Sequence, residues 1–156
     1  MQIDLFTILS SLFAGFVSTG AMTILEIPFW KRWGLTGILE WHENQILTCK
    51  LFRLSSNNLH FWGIFLLHFL NGSLGGIGLL LAFILIPTLK EIPLLPLGLL
   101  YGFFLWILTL VPIHKPITGI NPWNHPLGKG PAIVSLVGHT IYGITLVTSF
   151  KLIINI

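Results

Sequence analysis

The chain contains, at residues 59–86, the stretch LHFWGIFLLHFLNGSLGGIGLLLAFILI, which carries no Asp, Glu, Lys or Arg. A membrane-spanning helix needs about 20 such residues, so this stretch is long enough to cross a bilayer with some tilt. Three other parts of the chain also lack charged residues over 21 or more consecutive positions. In hydrocarbon every backbone N–H and C=O must find a partner within the protein, which favours helices. The sequence therefore predicts four membrane-spanning helices, at 4–27, 59–86, 92–111 and 131–150.

The composition excludes several classes of protein. Of the 156 residues, 54% are hydrophobic and only 8% are charged, and the mean hydropathy is +0.88. Because soluble domains carry about 25% charged residues, a soluble enzyme, a disordered chain, a nucleic-acid binder and a disulfide scaffold are excluded. We expect a single all-α integral membrane domain over residues 1–156, with the lipid bilayer as a partner and no nucleic acid.

The basic residues predict how the helices are oriented. Two of them, Lys90 and Lys151, lie on one side of the predicted helices, and six lie in the connections after the first and third helices. Since Lys and Arg accumulate in cytoplasmic connections, we expect these connections in the cytoplasm and both termini outside the cytoplasmic membrane. Pro28 and Pro112 are predicted to mark the exits of the first and third helices. The six basic residues are Lys31, Arg32, Lys50, Arg53, Lys115 and Lys129.

The first connection, residues 29–58, is too long for a turn and alternates apolar with charged residues. This pattern is typical of an amphipathic helix that lies in the membrane interface. We predict such a helix after the first span, with Ile38, Trp41 and Leu51 on the side toward the lipid.

Two short motifs recur in the same order. Residues 35–42 read LTGILEWH and residues 117–125 read ITGINPWNH, and further along HFLNG at 68–72 matches HTIYG at 139–143. Apolar sequences align with one another by accident, but Thr, Gly, Trp and His recurring in one order favour a duplication. We predict a four-helix bundle of two tandem two-helix repeats, related by a pseudo-two-fold axis along the membrane normal. The repeats cover about residues 4–86 and 92–154.

The repeat places one histidine in the second helix and one in the fourth. His68 and His139 lie eight to nine residues into their predicted helices, about 12 to 14 Å below the same membrane surface. Gly72 and Gly143, four residues further on, would leave a groove beside each ring. Two such histidines fit a bis-histidine haem b or a transition metal. The alternative is a pair of neutral histidines that hold helices together by hydrogen bonds.

A second group of ionisable residues lies near the predicted cytoplasmic boundary. His42 and His125 are at matching places in the two repeats, and Glu26 lies at the end of the first helix. These three residues form a second candidate metal site, for which the alternative is ordinary solvated histidines. Glu26 is also a group that could accept and release a proton, as a proton-coupled carrier requires.

Three groups of residues resemble a known family. They are the stretch AGFVSTGAMT at 14–23, the pair His68 and Gly72, and the set Ser135, His139, Tyr142 and Gly143. In these features the chain resembles small four-span membrane proteins of bacteria and archaea, among them the YagU-like group. The resemblance implies four spans in a cytoplasmic membrane and no particular reaction or ligand.

The sequence favours a non-catalytic role. Small residues recur four apart on all four predicted helices, which is typical of close helix packing, and no nucleophile or carboxylate pair suggests an enzyme. We expect an accessory or structural subunit of a larger membrane complex, for example an oxidoreductase, bound to other membrane subunits or to further copies of itself. The rival functions are a small haem- or metal-binding membrane protein and a proton-coupled carrier.

Overall fold

The computed structural model describes residues 4–153, except for the side chain of Val111, and these residues form helices without any β-strand. Four shorter elements join the helices: 3-10 turns at Leu35–Gly37, Pro87–Glu91 and Pro122–Asn124, and a π-helical turn at Leu110–His114. The α-helices are α1 Leu5–Trp33, α2 Leu39–Phe52, α3 Phe61–Leu85, α4 Leu94–Thr109, α5 Lys115–Thr118 and α6 Gly130–Ile153.

Four helical segments are long and apolar enough to cross a membrane, and they coincide with the four predicted ones. They are α1, α3, α6 and the continuous segment Leu94–Thr118, which joins α4 to α5 through the π-helical turn. The predicted exits at Pro28 and Pro112 are wrong, since both helices continue beyond these prolines. A π-helical turn shifts the hydrogen-bond register by one residue. No backbone hydrogen bond is then required at the position where proline has no N–H.

Glycines allow the long helices to approach each other closely at two crossings. Where α1 crosses α3, a Cβ atom at Gly15 would overlap the carbonyl oxygen of Gly72. Where α4 crosses α6, a Cβ atom at Gly102 would overlap the carbonyl oxygen of His139. Close approach of this kind is how helices associate when hydrophobic burial does not favour association.

The four long helices do not pack against all of their neighbours equally. α1 packs against both α3 and α6, and α4 packs against α6, whereas α3 and α4 make only sparse contact along their lengths. At one end, an apolar core that includes Leu79, Phe83, Leu146 and Phe150 fills the interior. The gap between α3 and α4 lies toward the other end.

Helix α2 differs from its prediction in which face it buries. It is present in the first connection, but Ile38 and Trp41 are almost fully buried within the protein, while Leu51 is 65% exposed. The buried face of α2 is largely polar and includes Asn44 and Gln45. The expectation that Ile38 and Trp41 face lipid is therefore wrong, because α2 turns toward polar atoms of the bundle.

The two halves share one feature and differ in another. Each half contains two long helices that cross at glycines. The first half has the 14-residue α2 after its first long helix, whereas the second half has only the three-residue turn Pro122–Asn124 after α5. The duplication itself stays a prediction.

Candidate functional site

A cavity of about 120 Å³ lies at the end of the bundle where α2 packs. Side chains from α1, α2, α3, α4 and α6 line it, and among the described residues no Lys or Arg does. The acidic, basic and polar side chains that the chemistry depends on are Glu40, Glu43, Asn44, His68, Thr109 and His139.

Three glutamates around this cavity each have one histidine as partner. His68 Nε2 lies 3.6 Å from Glu26 Oε2, His139 Nδ1 lies 3.5 Å from Glu40 Oε1, and His114 Nδ1 lies 2.7 Å from Glu43 Oε1. All six side chains are largely or fully buried. Buried ionisable groups with specific partners beside a cavity are typical of functional sites.

Glu26 lies behind His68 and is completely buried. Its Oε2 accepts a hydrogen bond of 2.7 Å from the indole Nε1 of Trp41, which explains why α2 buries that tryptophan. Its carboxyl group also makes a side-chain hydrogen bond with the carboxyl group of Glu40, whereas the Nε2 atom of His68 has no hydrogen-bond partner among the described residues. Buried polar atoms without partners are uncommon and call for an explanation.

Glu40 and His139 form a further part of the cavity wall. The hydroxyl of Ser135 donates a hydrogen bond to Glu40 Oε1, and the carboxyl group of Glu40 also makes a hydrogen bond with that of Glu26. The ring of His139 lies between two acceptors, with Nδ1 at 2.9 Å from the Ser135 carbonyl oxygen and Nε2 at 3.2 Å from Thr109 Oγ1. Thr109 donates its own hydroxyl proton to the Leu105 carbonyl oxygen, so its oxygen can accept a hydrogen bond from the His139 ring.

A second layer of ionisable groups lies between the cavity and the connections. Burial raises the pKa of Glu43, although its hydrogen bond with His114 acts in the opposite direction. Burial lowers the pKa of His42 to about 4, and the neighbouring His114 and His125 add to this effect. The ring centroids of His42 and His114 are 6.1 Å apart. Titratable groups thus continue from the cavity to the end of the bundle.

Two tyrosines fix α3 against the second half of the chain. Tyr142 on α6 donates a hydrogen bond of 2.5 Å to the Gly72 carbonyl oxygen. Tyr101 on α4 donates one of the same length to the Gly75 carbonyl oxygen. Gly72, Gly75 and Tyr142 line the cavity, so these bonds define its wall on the side away from α2.

The structure places the residues of the predicted haem site as follows. His68, His139 and Gly72 line the same cavity. The predicted groove at Gly143 is wrong, because a Cβ atom there would overlap the carbonyl oxygen of Gly98 in the α4 crossing. The Nε2 atoms of the two histidines approach Glu26 and Thr109 respectively rather than a shared ligand. The bis-histidine haem b therefore stays a prediction.

The residues of the predicted metal site are separated. His42 and His125 lie close enough to interact electrostatically, together with His114, whereas Glu26 contacts Trp41 and His68. Within residues 4–153, no group of three or more His, Cys, Asp or Glu side chains is arranged to hold a metal ion.

Sequence reasoning missed the acidic part of the cavity. Glu40, Glu43 and Asn44 are spaced three and four residues apart, which places them on one face of a helix, so the signal was present in the sequence. No local signal indicated Ser135 and Thr109 as their partners, since these residues come from distant helices.

Comparisons with known proteins complete the description of the site. No protein-family model, no curated protein and no solved structure matches this chain. The resemblance to the YagU-like group stays a prediction.

Proposed function

We propose that this chain is a multi-pass membrane protein that acts as a proton-coupled carrier, binding a small organic cation in the cavity in exchange for a proton. One observation carries the proposal: Glu40 and Glu43 line one cavity together with His68 and His139, and no Lys or Arg among the described residues balances the two carboxyl groups. A bound cation would provide the missing countercharge.

The distribution of apolar residues supports a position in the bilayer. The outer faces of α3 and α4 carry large exposed residues such as Leu70, Leu74 and Phe104, whereas glycines, histidines and tyrosines lie inside. An apolar surface of this extent is unfavourable in water and favourable in lipid. The positive charge in two connections supports the orientation with α2 on the cytoplasmic side of the cell membrane.

The charge of the cavity decides the class of ligand. Two carboxyl groups, Glu40 and Glu43, line it, and no Lys or Arg among the described residues offsets them. A cation beside a carboxyl group favours its ionised form, so binding of the cation expels a proton. By linkage, protonation of the same group expels the cation. This reciprocity is what a carrier that exchanges one cation for one proton needs.

The expelled proton has a route out of the cavity. Glu43 contacts His114, and His42 and His125 lie next to His114 toward the cytoplasmic end. Because burial raises the pKa of Glu43, this carboxyl group holds a proton closer to neutral pH than an exposed glutamate does. Chains of glutamate and histidine are the usual proton relays of membrane proteins.

An accessory subunit, the function that the sequence favoured, does not need such a cavity. We therefore rank the carrier first, and the accessory role, the partner subunits and a homo-oligomer stay predictions.

A proton-release measurement tests the proposal. Tetramethylammonium, which has no proton of its own to lose, is added to the purified protein in weakly buffered dodecyl maltoside containing a pH indicator. We expect a release approaching one proton per chain, which falls at least tenfold in Glu43→Gln, because burial raises the pKa of this carboxyl group. Glu91→Gln is the matched control, since Glu91 is exposed at the opposite end of the bundle, and it should behave as the wild type.

Two outcomes would overturn the proposal. One is a wild-type protein that releases no proton on addition of the cation. The other is equal release by Glu43→Gln and wild type while both remain folded by circular dichroism. In liposomes with a pH-sensitive dye inside, an outward cation gradient should drive proton uptake; binding without uptake would leave a binding protein and not a carrier.

A further inference from the structure

The cavity lies beside the gap between α3 and α4, toward the end of the bundle where α2 packs. Its lining includes Asn71, Gly72 and Gly75 from α3, and Leu105 and Thr109 from α4. Asn71 is ten residues after the start of α3 at Phe61, which places it about 15 Å along a helix of 25 residues.

Asn71 marks an opening between the cavity and the outside of the protein. It lines the cavity and yet is exposed on the outside of the protein, so the cavity and the surface meet at this side chain. Its amide makes no hydrogen bond to any other residue that the structure describes. A polar side chain exposed to hydrocarbon without a partner is unfavourable, unless a polar group passes or remains beside it.

The opening is closed at both of its ends along α3 and α4. Toward the apolar core, the hydrogen bond from Tyr101 to the Gly75 carbonyl closes the gap between α3 and α4. At the other end, Glu43 and Asn44 of α2 form the roof of the cavity. Between these limits the helices make little contact, and the exposed residues on either side of the opening, Leu74 and Leu108, are apolar.

We propose that the ligand is an amphiphile that reaches the cavity from the bilayer, its cationic head group between α3 and α4 and its hydrocarbon tail left in the lipid. This inference rests on the proposed function and adds the substrate class and the direction of access. The acidic residues of the cavity select a positive head group, and the apolar sides of the opening accommodate a chain that remains outside. A water-soluble cation makes only the first of these two contacts.

Calorimetric titration in dodecyl maltoside tests the inference with two probes that share one head group, tetramethylammonium and dodecyltrimethylammonium. Titration of empty micelles provides the blank. We expect the wild type to bind the long-chain probe at least tenfold more tightly than the short one. Asn71→Trp should obstruct the opening and weaken the long-chain probe at least fivefold, with tetramethylammonium affected less than twofold.

Leu66→Trp is the matched control, because Leu66 is 65% exposed on the same helix and does not line the cavity; it should bind both probes as the wild type does. Equal affinity for the two probes, or equal loss of both in Asn71→Trp, would overturn lateral access while cation binding stands. Failure of both probes to bind the wild type would instead overturn the proposed function. Circular dichroism of each variant shows whether it is folded, and Asn71→Phe provides a second obstruction if the tryptophan variant is not.

Discussion

The two ends of the helical bundle are built in opposite ways. The end that contains Leu79, Phe83 and Phe150 is filled with apolar side chains in mutual contact. The end covered by α2 buries glutamates and histidines, and several of their atoms have no hydrogen-bond partner within the described part of the chain. The first arrangement stabilises the fold, whereas the second costs stability. Such a cost is typical of a site that is completed by a ligand.

The largest expected effect of a substitution on stability is at the apolar end. Leu146 is fully buried there, and Leu146→Ala should lower the free energy of unfolding by about 3 kcal/mol, because it leaves a cavity among close-packed side chains. Thermal and denaturant unfolding in detergent measure this change. Leu152→Ala, at a residue that is 81% exposed on the same helix, should change stability by less than about 0.5 kcal/mol. Similar losses in both variants would contradict the contrast between the ends.

A smaller loss is expected when the polar end loses one donor. Trp41→Phe keeps an aromatic ring but removes the indole N–H that donates to Glu26. The buried carboxyl group then has no hydrogen-bond donor at that oxygen, which costs about 2 kcal/mol. Trp62→Phe is the control, since Trp62 is 93% exposed, and it should be neutral in the same unfolding measurement. A neutral Trp41→Phe would mean that this hydrogen bond adds nothing to stability.

The smallest of the three effects depends on pH. Burial lowers the pKa of His42 from 6.5 to about 4 in the folded protein, so the unfolded chain binds a proton at this residue more readily. Stability should therefore fall as the pH drops from 6.5 toward 4, and His42→Gln should remove about 1.5 kcal/mol of that fall. Unfolding followed at several pH values in both proteins measures the difference. If the stability of both proteins changes with pH in the same way, His42 does not contribute to the pH dependence of stability.

The sequence was sufficient to predict the four long helices, because each stretch without charged residues is longer than a membrane span requires. This property does not depend on what the helices contact. It also led to His68 and His139, since counting residues from the predicted helix starts placed both at one depth. The structure adds that both line one cavity. These predictions depend on local properties of the chain.

The prediction was wrong where it assumed that apolar residues of α2 turn toward lipid. Trp41 is buried because a carboxyl group 15 residues away needs its N–H, and that need is not visible in the periodicity of the helix. Glu40 and Ser135 are 95 residues apart in sequence, so only the packing of α2 against α6 reveals their contact. Gly143 was assigned to a ligand groove because its position matched Gly72, but the α4 backbone occupies that space. Each error concerns a contact between distant segments.

The two tyrosine hydroxyls bind carbonyl groups that lie three residues apart on α3, and they come from two different helices. Any sliding of α4 or α6 past α3 must therefore either drag the same short glycine-rich segment with it or release a phenol from its acceptor. The two helices already cross each other at Gly102 and Gly143, next to these tyrosines, so α3, α4 and α6 are held together at one level of the bundle.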